Sequence, residues 1–261
     1  MNNLYTQLSQ RNWLLTKAGE CFLLLLVVFF VAYWFDNRKV MGINPWVKPI
    51  KFSLSIWIFL WTMGWLLAEL PQIPRITRFI SIGITVCMLA EIGAIALQAA
   101  RGTTSHFNIS SPFNAIVLAF MGIMIAINTL LMLWVLVLFF IQNTNLHPAY
   151  LWGIRLGLII FLLASAEGGI MISKGAHNVG VTDGGSGLPF LNWSTLGGDL
   201  RIAHFIGLHA LQIVPLVAWW LVRSQPQQAL TYAITFAVLY AVLAFGLFGM
   251  AMMGKPLLSK L

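Results

Sequence analysis

Two glutamates lie inside long apolar stretches of this sequence, where ionisable side chains are rare. If the surrounding residues are helical, Glu91 lies about 15 Å from Arg101, and Glu167 lies about 10 Å from Lys174. A carboxylate in hydrocarbon costs at least about 2.5 to 3.5 kcal/mol, so each group needs a proton, a partner or a hydrated cavity. A purely structural bundle gains nothing from several such costs, and the pattern therefore favours a functional site.

A third polar contribution comes from residues 199–212, which read DLRIAHFIGLHALQ. At 100° per residue of helix, Arg201, His204, His209 and Gln212 fall within an arc of about 140°. We expect this arc to face protein or water. His209 lies about 12 Å inside the helix start, which is close to the depth expected for the two glutamates. The spacing predicts that acid, imidazole and amide groups from separate helices meet at one level.

The predicted site has an inner part and a mouth. The inner part would carry a proton or contact a solute, and it comprises Glu91, Gln98, Glu167, His209 and Gln212. The mouth comprises Arg101, His106, Asp199, Arg201 and His204. We expect this pocket to lie between the third, fifth and sixth transmembrane helices and to open towards the face that carries the longer loops.

Seven apolar segments are long enough to position these residues across a membrane, which takes about 20 residues of helix. They run approximately over residues 18–35, 52–70, 79–100, 113–141, 151–173, 202–222 and 229–253. Because 59% of the residues are hydrophobic and only 8% are charged, a soluble fold is excluded. The sequence predicts an all-α polytopic membrane helix bundle with seven transmembrane helices, forming one transmembrane domain over residues 1–261.

The connections between the spans alternate in length, and the fifth, residues 174–200, is long and rich in Gly. A connection of this length is commonly a lid or a binding loop. The face with the longer loops carries nine of the fifteen basic residues: Arg38, Lys39, Lys48, Lys51, Arg101, Lys174, Arg201, Lys255 and Lys260. The positive-inside rule then places this face and the C-terminus in the cytoplasm.

The basic residues are scattered singly between apolar runs, although the net charge is +8. Nucleic-acid binding requires a contiguous basic patch, so the expected partner is the lipid bilayer and not nucleic acid. The two cysteines, Cys21 and Cys87, both lie in apolar runs and define no disulfide framework. No feature of the sequence predicts the oligomeric state.

Several classes of function are compatible with the polar residues. Carboxylates and imidazoles in a wet intramembrane cavity suit a proton relay, or a transporter for a cation or small polar solute, because burial and neighbouring charge tune their pKa values. In that interpretation, Glu91 and Glu167 alternate in protonation while His209 and Gln212 contact the solute. A sensor or accessory subunit, by contrast, would use the polar cluster only to fix helix register.

A membrane oxidoreductase is the remaining class. Haem b would take His106 and either His204 or His209 as axial ligands, with Arg101 and Arg201 available for the propionates. A divalent metal, Zn or Fe, would instead use His204, His209, Glu91 and Glu167. The five-residue spacing of His204 and His209 turns their rings about 140° apart, which favours haem over a shared metal ion.

Three short segments carry a resemblance to other proteins. They are KPIKF at residues 48–52, GLP at 187–189 and GGDLR at 197–201, the last two within 184–212. At residues 48–52 and across 184–212 the chain resembles hypothetical multi-pass bacterial membrane proteins, and this resemblance would cover most of the chain. The resemblance implies a bacterial inner membrane and no particular activity.

Overall fold

A computed structural model of the chain describes residues 3–185 and 187–258 and consists mainly of helices. Among these residues there is one short helix, α1 (Leu4–Arg11), followed by seven that are long and apolar enough to cross a membrane. The seven are α2 (Trp13–Phe35), α3 (Val47–Leu67), α4 (Pro74–Ala100), α5 (Pro112–Ile141), α6 (Pro148–Lys174), α7 (Leu200–Ser224) and α8 (Ala229–Met252). The predicted all-α bundle with seven transmembrane helices is confirmed.

Four of the long helices, α2, α3, α4 and α6, begin three to five residues earlier than the hydropathy pattern predicts. Three of these early starts, those of α2, α4 and α6, carry helix-initiation signals. The Asn12 side chain caps α2 by accepting a hydrogen bond from the backbone N–H of Leu15 at 3.1 Å. Pro74 and Pro148 occupy the first positions of α4 and α6, where a missing N–H costs no hydrogen bond. Hydropathy identifies the lipid-facing middle of a helix and misses these ends.

The short helix α1 is not predicted by the apolar pattern. Its N-terminus is capped by the Asn3 side chain, which accepts from the Thr6 N–H at 2.8 Å. At its other end, Arg11 Nη1 donates to Glu69 Oε1 at 2.8 Å, and the guanidinium lies 3.9 Å from the ring centroid of Trp65. These contacts fasten α1 to the end of α3.

The chain divides into two compact units, Met1–Val135 and Leu136–Leu261, with the boundary inside α5. In the first unit, α3 packs against α2 and α4. In the second, α7 packs against α6 and α8. The single transmembrane domain over residues 1–261 stays a prediction.

Small residues allow α6 and α7 to approach closely. A Cβ atom at Gly153 would overlap the Ala218 side chain, and one at Gly207 would overlap the Ala164 side chain. A Cβ atom at Gly157 would lie 2.9 Å from the Ala210 carbonyl oxygen. Close backbone approach of this kind is the usual way in which helices pack within membranes. These contacts set the antiparallel register of α6 and α7, which positions the polar residues of the second unit.

The described part of the loop over residues 174–200 is ordered by backbone pairing. Two short strands, β1 (Asn178–Val179) and β2 (Gly198–Asp199), pair antiparallel. Gly198 packs directly on the Ala251 carbonyl at the end of α8, so a side chain there would overlap the backbone. The loop is therefore attached both to the start of α7 and to the end of α8.

Candidate functional site

In the second unit, Glu167 of α6 lies at the level of His204 of α7. His204 Nδ1 lies 2.7 Å from the carbonyl oxygen of Ala164, three residues before Glu167. A Cβ atom at Gly168, the residue after Glu167, would lie 3.3 Å from His204 Cε1. Contacts on both sides of Glu167 therefore place His204 beside the same turn of α6.

This register corrects the predicted level of His209. His209 follows His204 by five residues, so it lies about 7.5 Å further along α7 than the level of Glu167. The prediction counted depth from the end of each helix as if the ends were level. The contacts Ala164–Gly207 and Gly168–His204 show how α7 is aligned along α6. In this alignment Leu200, the first residue of α7, lies level with a residue about one turn before the end of α6. The helix ends are staggered, and His204 takes the place that was expected for His209.

Glu167 is buried and incompletely hydrogen-bonded. Only 4% of the residue is exposed, and its Oε2 atom has no hydrogen-bond partner in the part of the chain that the structure describes. A buried polar atom normally has a partner, and an ionised carboxylate without one is costly. Glu167 is therefore suited to hold a proton.

The contacts of His204 define which of its nitrogens carries the proton. Because the Ala164 carbonyl can only accept, His204 Nδ1 must donate to it. In the neutral ring, Nε2 then retains its lone pair and can accept a proton or bind a metal. A ring nitrogen held by a backbone carbonyl in this way is a common arrangement in functional histidines.

His209 and Gln212 form a separate pair on α7. His209 Nδ1 lies 3.2 Å from Gln212 Oε1, and the His209 ring packs edge-on against Phe205 with centroids 4.4 Å apart. Both side chains are half-buried. Nearby on the same helix, the Ile206 carbonyl accepts from the Tyr240 hydroxyl of α8 at 2.6 Å. The pair lies deeper than Glu167 and His204 and offers additional polar atoms there.

Asp199 and Arg201, both predicted at the pocket mouth, are bound to each other and to the loop. The Asp199 carboxylate is fully buried and accepts from the Ser194 N–H at 2.8 Å and from the Arg201 N–H at 3.0 Å. It also accepts from Arg201 Nη2 at 2.6 Å and Nε at 2.9 Å, while Nη2 donates to the Asn192 carbonyl. With both oxygens engaged, Asp199 acts as the N-cap of α7 and an anchor of the loop.

An ion pair within the loop was not anticipated from the sequence. His177 Nδ1 lies 2.6 Å from Asp183 Oδ2, and the same carboxylate accepts from the N–H groups of His177 and Asn178. Burial would raise the pKa of Asp183, but these hydrogen bonds lower it to about 2. The two residues lie in a Gly-rich connection without helical or strand periodicity, so no sequence pattern identified the pair.

In the first unit, Glu91 of α4 is the counterpart of Glu167. It is 5% exposed, and its Oε2 atom has no hydrogen-bond partner among the described residues. Glu91 and Glu167 are thus both buried, and each has a carboxylate oxygen without a hydrogen-bond partner in the described part of its own unit.

Gln98 and Arg101 belong to a polar network at the junction of α4 and α5. Arg101 Nη1 donates to Gln98 Oε1 at 2.6 Å and to Asn114 Oδ1 at 2.7 Å. Gln98 Nε2 also donates to Asn114 Oδ1, and Asn114 Nδ2 donates to the Ser110 hydroxyl at 2.9 Å. Sequence reasoning missed Asn114, because a lone amide in the first turn of an apolar segment carries no periodic signal. This network holds the two helix ends together.

His106, predicted at the pocket mouth, lies in the loop after α4, six residues beyond the helix end at Ala100. Its Nδ1 atom lies 3.2 Å from the Ser105 hydroxyl. Its ring packs edge-on against Phe52 and Phe107, each with a centroid distance of 6.2 Å.

No group of three or more His, Cys, Asp or Glu side chains is arranged to hold a metal ion within residues 3–185 and 187–258. Within the second unit, the predicted ligands His204, His209 and Glu167 therefore do not form such a group. In the second unit the reason is geometric, because His209 lies about 7.5 Å deeper than the level that His204 shares with Glu167.

Comparison with known protein families, curated proteins and solved structures gives no match. The class of the protein is instead defined by its fold. Seven apolar helices make it a multi-pass integral membrane protein with a lipid bilayer as its surroundings.

Proposed function

We propose that the protein binds and moves a proton, or a small cation in its place, at an acid–imidazole site formed by Glu167 and His204. The observation that carries the proposal is the buried Glu167 oxygen without a hydrogen-bond partner, at the level of an imidazole whose Nε2 keeps its lone pair. Ionisable groups inside a membrane are typical of proton and ion pathways.

The chemistry requires only one proton shared between the two side chains. When Glu167 carries the proton, both groups are neutral and burial costs little. Transfer of that proton to Nε2 of His204, directly or through one water molecule, produces a carboxylate and an imidazolium whose charges compensate each other. Release from the imidazolium and uptake by the carboxylate complete one transfer.

The other predicted residues take supporting roles in this proposal. His209 and Gln212 continue the polar surface of α7 beyond the acid–imidazole site and would contact a proton, hydrated cation or small polar solute there. Glu91 would serve as a second buried acid in the first unit. Asp199 and Arg201 would hold the loop in place and take no part in transfer.

Proton flux into vesicles tests the proposal. Purified protein is reconstituted into liposomes that contain the pH-sensitive dye pyranine, and a pH gradient is imposed with and without Na⁺ or K⁺ gradients. We expect Glu167→Gln and His204→Ala to lower the flux by about a hundredfold or more, which is the low end of effects for proton-transfer groups. Glu91→Gln tests the second acid in the same way.

The matched control is Glu20→Gln, because Glu20 also lies in a long helix but is partly exposed and paired with Lys17 at 3.0 Å. This variant should conduct like the wild type. Flux in Glu167→Gln equal to that of the wild type would refute the assignment of the site.

A b-type haem protein is the alternative that a specific observation favours. Histidines that bind metals usually donate their second ring nitrogen to a carbonyl or carboxylate, as His204 Nδ1 donates to Ala164. His209 is not suited to bind the same haem, because it lies five residues further along the same helix with its ring about 140° away.

The visible absorption spectrum of the purified protein distinguishes the two functions. A Soret band that disappears in His204→Ala would establish haem binding, whereas colourless protein with proton flux would support the relay. A protein without haem and without flux would fit the third class, a sensor or accessory subunit.

A further inference from the structure

The α4–α5 pair carries an exposed apolar groove that the proposed proton site does not use. The groove has a volume of about 380 Å³ and is lined by residues of the two helices, among them Gly93, Ala94, Leu97, Ile116, Val117 and Phe120. Ala94 and Val117 are buried and form its floor, while Leu97, Ile116 and Phe120 are exposed and form its walls. All of these residues belong to the first unit.

Gly93 keeps the groove open. It is exposed, and a Cβ atom built on it would meet no other atom within 4 Å. From Leu89 to Leu97 the groove follows about two turns of α4, roughly 12 Å. A slot of this length and apolarity on the membrane-facing side of a helix pair matches part of an extended hydrocarbon chain.

A cation lies one helical turn beyond this groove, just past the end of α4. Arg101 follows Leu97 by four residues, on the same side of the chain, and its guanidinium lies 4.4 Å from the ring centroid of Phe113. Nη1 is held by the Gln98 and Asn114 side chains. Nε and Nη2 have no hydrogen-bond partner in the described part of the chain, so these donors are oriented but still available.

We propose that the groove binds an acyl chain of an anionic phospholipid whose phosphate contacts Arg101. A guanidinium binds a phosphate through two parallel hydrogen bonds, and the end of a transmembrane helix is the depth at which headgroups lie. Charge complementarity favours this occupant over a helix from a second copy, which would cover the groove but leave the free donors of Arg101 without an acceptor. The proposal does not depend on Glu167 or His204.

Native mass spectrometry of the detergent-solubilised protein tests lipid binding. Phosphatidylglycerol, phosphatidylcholine with the same chains, and glycerol 3-phosphate are titrated separately. We expect one phosphatidylglycerol to bind about tenfold more tightly than phosphatidylcholine, a difference of about 1.4 kcal/mol, and glycerol 3-phosphate alone not to bind. Binding of glycerol 3-phosphate as tight as that of the lipid would overturn the proposal, since the groove would then contribute nothing.

Two glycine variants provide a matched pair. Gly93→Leu fills the groove, whereas Gly122→Leu adds the same side chain on α5 at a glycine that also has open space within 4 Å but does not line the groove. Gly93→Leu should weaken phosphatidylglycerol binding by about tenfold, and Gly122→Leu should leave it unchanged. Equal binding in both variants, or a dimer that Gly93→Leu alone abolishes, would overturn the lipid assignment.

Two arginine variants test the headgroup contact. Arg101→Gln should remove the preference for phosphatidylglycerol over phosphatidylcholine, and Arg101→Lys should retain part of it, because lysine keeps the charge without the paired donors. Because Arg101 also contacts Gln98 and Asn114, the thermal unfolding of each variant is compared with that of the wild type. An undiminished preference in a folded Arg101→Gln protein would exclude the phosphate contact.

Discussion

At the scale of single residues, the buried carboxylates of this protein differ in how completely they are hydrogen-bonded. Asp199 accepts hydrogen bonds from Ser194 and Arg201 on both oxygens, so its charge is stabilised by the fold. Glu167 and Glu91 are equally inaccessible, yet each has an oxygen without a partner among the described residues. Asp199 is therefore expected to contribute to stability, whereas the two glutamates are less fully stabilised by the fold.

This contrast predicts opposite results for two substitutions. Asp199→Ala should lower the free energy of unfolding by about 1 to 3 kcal/mol, because the Ser194 N–H and the Arg201 guanidinium lose their acceptor. Glu167→Gln should change it little, because a neutral amide replaces a group that is suited to being neutral. Unfolding in detergent, followed by circular dichroism, measures both variants. An Asp199→Ala protein as stable as the wild type would contradict the proposed anchoring role.

At the scale of helices, contacts of small residues decide which polar groups meet. Gly207 faces Ala164, and Gly157 faces the backbone of α7 at Ala210. These contacts leave no freedom to slide α7 along α6, so they also fix His204 beside the turn that carries Glu167. The helix contact is thus part of the site although it contains no ionisable group.

Gly207→Ala should therefore destabilise the protein by about 1 to 3 kcal/mol through overpacking against the Ala164 methyl group. Adding Ala164→Gly should restore much of the stability, because it removes the atom that is overlapped. Gly169→Ala on α6 is the matched control: a Cβ there meets nothing within 4 Å, and alanine favours helix over glycine. Thermal unfolding of the three variants measures the effect. Additive effects of the two substitutions would show that the residues do not interact.

At the scale of the whole molecule, seven transmembrane helices place the first and last connections on opposite faces of the membrane. We propose that the protein resides in a bacterial inner membrane with the face that carries the longer loops, and the C-terminus, in the cytoplasm. The support is the excess of basic residues on that face, nine of fifteen.

Reporter fusions at the C-terminus test this orientation in a bacterial host. Green fluorescent protein should fluoresce there, and alkaline phosphatase should be inactive, because the first requires the cytoplasm and the second the periplasm. A fusion at the N-terminus provides the internal control and should give the opposite pattern. Active phosphatase at the C-terminus would reverse the orientation.

The sequence by itself determined the number and order of the membrane helices. A lipid environment requires about 20 apolar residues for each crossing, and this requirement is met locally, segment by segment. The short α1 and the early helix starts lie outside that requirement, because polar caps such as Asn12 and first-turn prolines such as Pro148 carry no apolar signal.

Only the tertiary structure decided which polar side chains lie side by side. The relative depth of Glu167, His204 and His209 depends on how α6 and α7 are staggered, and that stagger comes from contacts at Gly157, Gly207 and neighbouring small residues. Likewise, Asn114 joins Gln98 and Arg101 only because the turn between α4 and α5 brings them together. Hydropathy and helical period describe one segment at a time, whereas the register between two helices is set by the steric fit of their packed surfaces.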